Sequence, residues 1–395
     1  MMVAIDFSQA IPLLSLPTGE LLMRLFLIAG GILVIYGGIK EILEPLIMIP
    51  FGLGVASANA AYLALKINGV VLANPHVAWN LTSYDWISYF WLQPIYNFTF
   101  MTGLIAALVF MGIGVLTDIS FLLARPYVSM ILAAFAELGT VFTFPIGTYL
   151  GLTTKQAASV ALIGGADGPI VLFSSIVLAP ELFIPITVVG YLYLSLLYLY
   201  HERLAEVVIP KSMASKIMPP SSVEVGRAEK IAFAIIVPVL LSAIFPSASP
   251  LLLSFFIGVL IREVGNERYV KLLDEVILSV STFFLALVLG VSTTADAVMD
   301  PVVGKILLLG ITALFLSSLG GMIGGIILSY LSRGKLNPLL GVAGVSCVPT
   351  TAKLAQKLAF KLNPDNYMIM ELMGPNVAGV ITTAIVAALY LSALM

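Results

Sequence analysis

The sequence predicts an all-α polytopic membrane protein with about nine transmembrane helices, together with broken or re-entrant helices in an inverted repeat. Composition supports the membrane assignment. Of the 395 residues, 60% are hydrophobic and 10% are charged, whereas a soluble protein carries about 25% charged residues. The mean hydropathy is +1.08. Because so few ionisable groups cannot cover the surface of a soluble protein of this size, the chain is expected to cross a membrane several times.

Composition also argues against several other classes of function. The net charge is −2 and the chain has no basic face, so nucleic acid is not an expected partner. The single cysteine, Cys347, excludes an intramolecular disulfide framework and a cysteine-rich metal cluster. His76 and His201 are the only histidines, which argues against a multi-histidine zinc or haem site. Residues 1–20 lack the basic start of a cleavable signal peptide, so the first hydrophobic helix is expected to target the chain.

The predicted spans follow from apolar stretches that approach the roughly 20 residues needed to cross a bilayer. In chain order they are Leu21–Ile39, Phe98–Thr117, Tyr127–Leu150, Leu182–Tyr200, Ile231–Pro246, Leu251–Ile261, Val276–Ala295, Ile306–Ser332 and Leu372–Met395. Three further stretches, Pro45–Leu65, Gln156–Pro180 and Pro338–Phe360, are apolar but interrupted by Gly and Pro. Broken segments at membrane depth are tolerated only where they are buried in protein or line a cavity. Functional residues are therefore expected in these three stretches.

Charge and aromatic residues predict how the chain is divided. No Lys or Arg lies between Lys66 and Arg125, and all three tryptophans, Trp79, Trp86 and Trp91, lie there. This pattern is typical of an external loop in the aromatic interfacial belt. Arg203–Lys230 holds five basic residues and is interpreted as cytoplasmic. We therefore expect a first membrane half at 1–200, a linker at 201–230 and a second membrane half at 231–395.

A weak internal similarity suggests an inverted repeat. Gly112–Asp118 resembles Leu289–Asp296, and Gly164–Pro169 aligns with Gly344–Pro349 at nearly the same offset. Transporters built from inverted repeats place their ion sites near the membrane midplane on discontinuous helices. The alternative is chance similarity between Gly-rich hydrophobic segments.

Asp167 gives the sharpest single signal. It is the only charged residue between Lys155 and Glu181, and it lies in the Gly-rich turn Gly164–Pro169. An intramembrane Asp costs about 2.5–3.5 kcal/mol even on the lower insertion scale, so it needs a cation, a proton or strong hydrogen-bond donors. The glycines open the helix and free backbone carbonyls, which are hard oxygen ligands suited to Na⁺. We predict a Na⁺ site here; the alternative is a protonated Asp hydrogen-bonded across a helix break.

Neutral oxygen ligands are expected from two later segments. The second broken segment begins at Asn337 and continues through Gly341 and Ser346. Its amide and hydroxyl oxygens suit a small monovalent cation, although Asn337 and Ser346 could instead only cap helix ends. Gly374–Asn376 is expected to interrupt the last apolar segment and to place a further amide oxygen, that of Asn376, at membrane depth.

Other residues carry weaker signals. Lys353 and Lys357 follow the second broken segment and could meet an anion from the cytoplasm, but snorkelling is the more ordinary role of such residues. Glu137 needs a partner for the same reason as Asp167. Tyr193 does not stand out from the tyrosines around it. Gly320–Gly325 has the spacing of a close helix-packing face.

Three motifs, in this order, resemble the beta subunit of sodium-pumping biotin-dependent decarboxylases. They are Ile163–Pro169 (IGGADGP), Asn337–Ser346 (NPLLGVAGVS) and Met373–Val380 (MGPNVAGV). Glu44-Pro-Leu-Ile and the position of the linker also fit, so the resemblance covers nearly the whole chain. The family includes pumps that act on oxaloacetate, methylmalonyl-CoA, glutaconyl-CoA and malonate. The resemblance implies a multi-pass protein of the prokaryotic inner membrane that decarboxylates carboxybiotin, exports Na⁺ and takes up a proton from outside.

The resemblance also implies cofactors and partners. Na⁺ is the transported ion, and carboxybiotin is supplied by a partner, so that no biotin is attached to this chain. The partners implied are a carboxyltransferase and biotin-carrier alpha subunit and a small membrane gamma or delta subunit. The chain itself is expected to form a homo-oligomer.

Site residues follow from the resemblance by motif. The implied catalytic residues are Asp167, Tyr193, Ser346 and Lys353. The implied Na⁺-binding residues are Asp167, Asn337, Gly341, Ser346 and Asn376, of which Asp167, Asn337 and Asn376 would hold the ion directly. Lys353 stands where many relatives have Arg and so keeps the charge without the bidentate fork. Glu371 stands where a His is common.

Two other classes of function fit parts of the sequence. A Na⁺-coupled secondary transporter of carboxylates would share the composition and the broken helices, but the three motifs favour the pump. A purely structural membrane anchor for soluble subunits would have no use for the buried charge of Asp167.

Overall fold

The fold was analysed in a computed structural model that describes residues 13, 16–60, 66–67, 70–71, 92–219 and 223–395. The three tryptophans, His76 and most of the predicted external loop lie outside the described residues. Where it is described, the regular secondary structure of the chain is helical except for one hairpin, in which β1 (Lys66–Ile67) pairs antiparallel with β2 (Val70–Val71). The all-α prediction is confirmed.

The helices follow one another closely along the chain. The first ten are α1 (Thr18–Ile39), α2 (Pro45–Ala60), α3 (Leu92–Ile95), α4 (Leu104–Leu116), α5 (Ser120–Ala124), α6 (Pro126–Ala136), α7 (Leu138–Tyr149), α8 (Thr154–Ala161), α9 (Gly168–Leu178) and α10 (Phe183–Val208). They continue with α11 (Lys211–Ala214), α12 (Arg227–Ile244), α13 (Ser249–Val264), α14 (Glu267–Lys271), α15 (Ser279–Ser292), α16 (Ala295–Val298), α17 (Pro301–Leu331), α18 (Thr350–Leu362) and α19 (Ile369–Leu394). Tighter 3₁₀ turns occupy Leu162–Gly165, Pro180–Leu182, Pro246–Ala248 and Pro338–Gly344, and π-helical turns occupy Tyr96–Phe100 and Leu272–Leu278.

Six helical segments of the described chain are long and apolar enough to cross a membrane. They are Thr18–Ile39, Pro126–Tyr149, Pro246–Val264, Glu267–Ser292, Pro301–Leu331 and Ile369–Leu394. Shorter apolar helices lie at Pro45–Ala60, Leu104–Leu116, Gly168–Leu178 and Pro180–Tyr193. The multi-pass membrane assignment is therefore confirmed, and the predicted count of about nine spans is approximate.

Contacts group the described chain into two units. The first comprises Met1–Ile105 and Ser279–Gly304, and the second comprises Ala106–Leu278 and Lys305–Met395. In the first unit α2 packs against both α1 and α15. The buried Asn59 at the end of α2 donates to the carbonyls of Val55 and Thr293, at 2.9 Å each, and accepts from the amide of Ala295 at 3.0 Å. This side chain ties the end of α2 to the chain that follows α15.

One of the three predicted helix breaks is wrong as far as the described residues reach. Pro45–Leu65 was expected to be discontinuous, but α2 runs from Pro45 to Ala60 with Pro50 inside it. A proline in a helix interior removes one backbone hydrogen bond, but α2 continues past Pro50 and packs against two neighbouring helices. Residues 61–65 lie outside the described chain.

The first genuine break lies in the second unit, between α8 and α9. The chain passes from α8 through the 3₁₀ turn Leu162–Gly165 to Ala166, whose φ of 56° is left-handed. Asp167 is then extended and caps α9, and a proline occupies the first turn of that helix. Because Pro169 cannot continue a helix that comes from its N-terminal side, the sequence places the break at Asp167, as predicted.

The second break lies between α17 and α18. Asn337 caps the 3₁₀ turn Pro338–Gly344, Val345 is extended, and α18 begins at Thr350. The Val348–Pro349 peptide bond is cis. This segment is discontinuous over most of its length, as predicted from its glycines and prolines.

The last helix differs from the prediction. Gly374–Asn376 was expected to interrupt the final apolar segment, but α19 is continuous from Ile369 to Leu394 with Pro375 in its interior. Pro375 lies close to the start of the helix, where the loss of one hydrogen bond disturbs few residues. Asn376 therefore projects from a rigid helix rather than from a loop.

The division at 201–230 stays a prediction. Helix α10 continues past residue 201 to Val208, and the described part of the linker packs on the second half of the chain. Ala214 accepts hydrogen bonds from the side chains of Asn337 and Asn366, at 2.9 Å and 3.3 Å.

Candidate functional site

The two broken segments meet at the Gly165 carbonyl. The hydroxyl of Ser346, from the second break, donates to the Gly165 oxygen at 2.6 Å. Asp167 lies two residues further along the first break and interacts electrostatically with Cys347, the neighbour of Ser346. Asp167 and Ser346 are both buried, at 5% and 3% exposure. The structure thus brings together two residues that the sequence placed about 180 residues apart in related motifs.

Asp167 is held at the start of a helix. Its Oδ1 accepts a hydrogen bond from the amide of Ile170 at 3.3 Å, and the positive end of the α9 dipole favours a negative charge at this position. Asp167 forms no ion pair within the described residues. A buried carboxylate without a protein cation requires a mobile cation or a proton.

Asn376 supplies an oxygen beside the second break. Its Nδ2 donates to the carbonyls of Ala343 and Val345, both at 3.1 Å, and to the hydroxyl of Thr351 at 2.8 Å. Because the nitrogen is fully engaged, the amide orientation is fixed and Oδ1 points elsewhere. Oδ1 is buried and has no hydrogen-bond partner within the described residues. An amide oxygen in this state is a ready ligand for a small cation.

A second carboxylate reaches the same turn. The hydroxyl of Thr383, on α19, donates a short hydrogen bond to Oε1 of Glu137 and lies 3.5 Å from the Gly165 oxygen. Glu137 is buried and interacts electrostatically with Asp167. The sequence indicated that Glu137 needs a partner; its partner Thr383 carries no sequence signal, because one threonine in an apolar helix is ordinary.

Tyr191, rather than Tyr193, lies beside Asp167. A methyl group added at Gly168 would lie 2.6 Å from the Tyr191 hydroxyl oxygen, and Asp167 and Tyr191 interact electrostatically. The Tyr193 hydroxyl instead donates to the carbonyl of Leu307 at 2.7 Å and ties α10 to α17. The sequence located the tyrosine cluster but did not single out Tyr191, and the catalytic role of Tyr193 stays a prediction.

Asn337 and Gly341 have contacts of a different kind. Asn337 Nδ2 donates to the carbonyls of Ala214 and Lys216, at 2.9 Å and 2.8 Å, and its Oδ1 accepts from the amide of Leu339. With these contacts Asn337 caps the 3₁₀ turn and also holds the linker. Capping is the alternative role that the sequence left open for Asn337. Gly341 packs its backbone against Gly321 and Gly325 of α17. The Na⁺-binding roles of both residues stay predictions.

Lys353 lies on the exposed face of α18, with Lys357 and Lys361. Lys357 pairs with Glu202 at 2.8 Å, and Lys361 pairs with Glu206. The hydrogen bond from Lys361 to Glu206 raises the pKa of the Lys361 ammonium above its ordinary value. Lys353 alone of the three has no ion-pair partner within the described chain, so its charge remains available to an anion.

His201 is a buried residue to which the sequence analysis gave no role. Its Nδ1 lies 3.0 Å from the Ser318 hydroxyl on α17, and its Nε2 lies 3.0 Å from the Val342 carbonyl in the second break. It therefore links α10 and α17 to the 3₁₀ turn Pro338–Gly344. A lone histidine in an apolar helix gives no signal of such a contact.

Comparison with known proteins agrees with the motifs. Residues 23–394 match the family described as the Na⁺-transporting oxaloacetate decarboxylase beta subunit. The chain is 45% identical to a carboxybiotin decarboxylase of Malonomonas rubra over 373 residues, which covers 94% of this chain and 93% of the relative. It is 32% identical to the methylmalonyl-CoA decarboxylase subunit beta of Veillonella parvula, covering 96% and 95% of the two chains. It is 31% identical to the oxaloacetate decarboxylase beta chain of Klebsiella pneumoniae, covering 97% of each. By the extent of these matches, and by the motifs that meet at Gly165, the chain belongs to the family of Na⁺-transporting decarboxylase beta subunits.

Proposed function

We propose that this chain decarboxylates carboxybiotin and couples that reaction to the export of Na⁺ and the uptake of a proton. The observation that carries the proposal is the buried carboxylate of Asp167, which has no ion-pair partner in the described part of the chain and lies where two broken helices meet. The family and its relatives support the chemistry, since their names include Na⁺ transport and carboxybiotin decarboxylation. The relatives are named for different acids, as expected if a partner subunit takes the acid.

Decarboxylation of carboxybiotin consumes one proton. When the bond between the biotin nitrogen and its carboxylate breaks, CO₂ leaves and the electron pair stays on nitrogen, which then takes a proton. In this proposal Lys353, on the exposed face of α18, binds the carboxylate of incoming carboxybiotin as a point charge. Carboxybiotin is delivered by the biotin-carrier domain of an alpha subunit, and a small gamma or delta subunit and further copies of this chain complete the complex.

The ion is held by oxygens of the two breaks and of α19. Asp167 supplies the charge, Asn376 Oδ1 on α19 is a buried oxygen without a hydrogen-bond partner among the described residues, and the Ser346 hydroxyl keeps acceptor lone pairs while it donates to Gly165. Moving one charge against 100 mV costs about 2.3 kcal/mol. The decarboxylation must therefore favour the conformation that releases Na⁺ outside, and a proton that arrives at the site displaces the ion.

Replacing Asp167 by Asn tests the proposal. Asn is nearly isosteric and is an equally good helix cap, so Asp167→Asn should leave α9 and the assembly intact. Without the charge the site loses its hold on Na⁺, and Na⁺-dependent decarboxylation should fall to background. The measurement is CO₂ release against Na⁺ concentration by the complete complex, purified on avidin through the biotin of its partner.

Glu181→Gln is the matched control. Glu181 is an exposed carboxylate that accepts from Gln156 at 2.9 Å, and its replacement should leave the Na⁺ dependence unchanged. Full activity of Asp167→Asn at wild-type Na⁺ requirement would contradict the proposed ion site. A secondary transporter would be favoured instead by two results together. The wild-type chain would fail to co-elute with a biotinylated protein, and it would support Na⁺-dependent carboxylate uptake into vesicles.

A further inference from the structure

Several buried side-chain oxygen atoms around Glu137 have no hydrogen-bond partner among the described residues. Thr383 satisfies Oε1 of Glu137, but Oε2 is buried and has no hydrogen-bond partner within the described residues. Glu137 also forms no ion pair there. Nothing in the Asp167 site requires this second buried carboxylate.

Two buried hydroxyls lie with it. Thr140, one helical turn after Glu137, lies close enough for its hydroxyl to interact with the Glu137 carboxylate, but within the described residues its Oγ1 has no hydrogen bond of normal geometry. Ser317 Oγ on α17 is likewise buried and unpartnered within the described residues. A methyl group added at Gly164 would lie 3.0 Å from both hydroxyl oxygens. The two hydroxyls therefore converge on the space that the missing side chain of Gly164 leaves open.

Among the described residues, Thr143, Ser159, Ser174 and Ser242 also have buried hydroxyls without a hydrogen-bond partner, but only Thr140 and Ser317 converge on Gly164. Serine and threonine hydroxyls inside apolar helices ordinarily donate to the carbonyl one turn earlier, and Ser292, Thr293 and Thr312 do so here at 2.7–2.8 Å. Thr140 and Ser317 forgo that bond. An unsatisfied buried hydroxyl costs about 1–3 kcal/mol. Two that converge on one space, beside a carboxylate without an ion pair in the described chain, therefore indicate a ligand.

We propose that Glu137, Thr140 and Ser317 form a second binding position for Na⁺, next to the Asp167 turn. One carboxylate and two hydroxyls are the hard, small ligands that suit this ion, and the ion would neutralise a charge that the apolar surroundings otherwise penalise. The absence of a side chain at Gly164 provides the room. Since Thr383 contacts both Glu137 and the Gly165 carbonyl, an ion at this position bears directly on the turn that carries Asp167.

The position extends the proposed pump but does not depend on it. Two cations held by adjacent carboxylates in a low dielectric repel each other, so the occupancy of one position lowers the affinity of the other. A pump with such a pair would release one ion as the other arrives.

Equilibrium binding of ²²Na⁺ to the complete avidin-purified complex tests the inference. Glu137→Gln should remove one class of bound Na⁺ and leave another, and Thr140→Val should weaken the same class by about tenfold, the loss of one charge-assisted contact. Thr143→Val is the matched control. Thr143 is a buried threonine on the same helix whose hydroxyl also has no partner among the described residues, and it is not among the atoms nearest to Gly164. It should bind Na⁺ as the wild type does.

Gly164→Ala gives a second variant that keeps the carboxylate. Its methyl group would occupy the space between the two hydroxyls, and it should remove the same class of Na⁺ as Glu137→Gln. The inference would be overturned if Glu137→Gln bound Na⁺ with the stoichiometry and affinity of the wild type. The same result in folded Thr140→Val and Gly164→Ala complexes would also overturn it. Asp167→Asn separates the two proposals: it should retain the Glu137 class of bound Na⁺, and if it retains all bound Na⁺ the Asp167 site fails while this one stands.

Discussion

At the scale of single residues, the site depends on which atom of each polar side chain is already engaged. Asn376 shows this most directly, because its nitrogen donates to Ala343, Val345 and Thr351 while its oxygen has no partner in the part of the chain that the structure describes. The same side chain therefore holds the second break in place and offers a ligand. The sequence could identify the amide, but only the contacts assign its two ends.

Asn376→Asp should separate these two functions. In the Asp variant one carboxylate oxygen takes the place of the ligand oxygen. The other takes the place of the amide nitrogen, so the three donated hydrogen bonds are lost and this oxygen faces two carbonyls and a hydroxyl. We expect the substitution to destabilise the complex by about 3 kcal/mol, the loss expected for unsatisfied buried groups beside a charge. The fall in the thermal inactivation temperature of the solubilised complex measures it.

Asn363→Asp provides the comparison for Asn376→Asp. Asn363 is only partly buried and donates one bond, to Ser215 at 3.0 Å, so its replacement should cost about 1 kcal/mol. Equal stability losses in the two variants would show that the network around Asn376 is not special.

At the scale of elements, glycine and proline alone did not decide where a helix breaks. Pro50 and Pro375 lie inside continuous helices, whereas Asp167 and Val345 lie at true breaks. At the true breaks proline comes with runs of glycine and with a polar cap, Asp167 or Asn337. The combination stops the helix, because the cap side chain satisfies the amides that the break exposes.

Helix α18 carries a prediction about its exposed lysines. Lys353→Ala should lower kcat/KM for free carboxybiotin by about tenfold, equal to ~1.4 kcal/mol, because it removes the one lysine of that face without an ion-pair partner in the described chain. Lys353→Arg should retain activity, since it keeps the charge. The measurement is CO₂ release by the complete complex.

Lys357→Ala is the matched control on the same face. It removes an exposed ion pair with Glu202, and such pairs contribute about 0–1 kcal/mol, so activity and stability should change little. If Lys357→Ala impaired decarboxylation as much as Lys353→Ala, the effect would belong to the net charge of the face and not to Lys353.

At the scale of the whole molecule, binding of the transported ion should stabilise the fold. Among its described residues the second unit contains two breaks and two buried carboxylates that form no ion pair, Asp167 and Glu137. Na⁺ bound there favours the folded state over the unfolded one. At a concentration about 100 times its Kd, Na⁺ should stabilise the protein by ~2.7 kcal/mol per site. The melting temperature should therefore be higher in NaCl than in choline chloride.

Matched ionic strength removes the effect of screening from that comparison. Asp167→Asn should reduce the difference between the two salts, and identical melting of the wild-type protein in both salts would argue against any specific Na⁺ site in the folded chain.

The sequence by itself indicated the membrane-spanning class, the isolated Asp167 and the family, and it predicted both genuine breaks together with two that the described residues do not have. These features depend on composition and on local backbone chemistry, both of which are present in short stretches of chain. Only the tertiary structure decided that Ser346 meets Gly165, that Tyr191 rather than Tyr193 lies beside Asp167, and that Glu137 shares the turn through Thr383. Such contacts join helices far apart in sequence, and a tyrosine or threonine in an apolar helix looks the same whether it faces lipid, another helix or an ion.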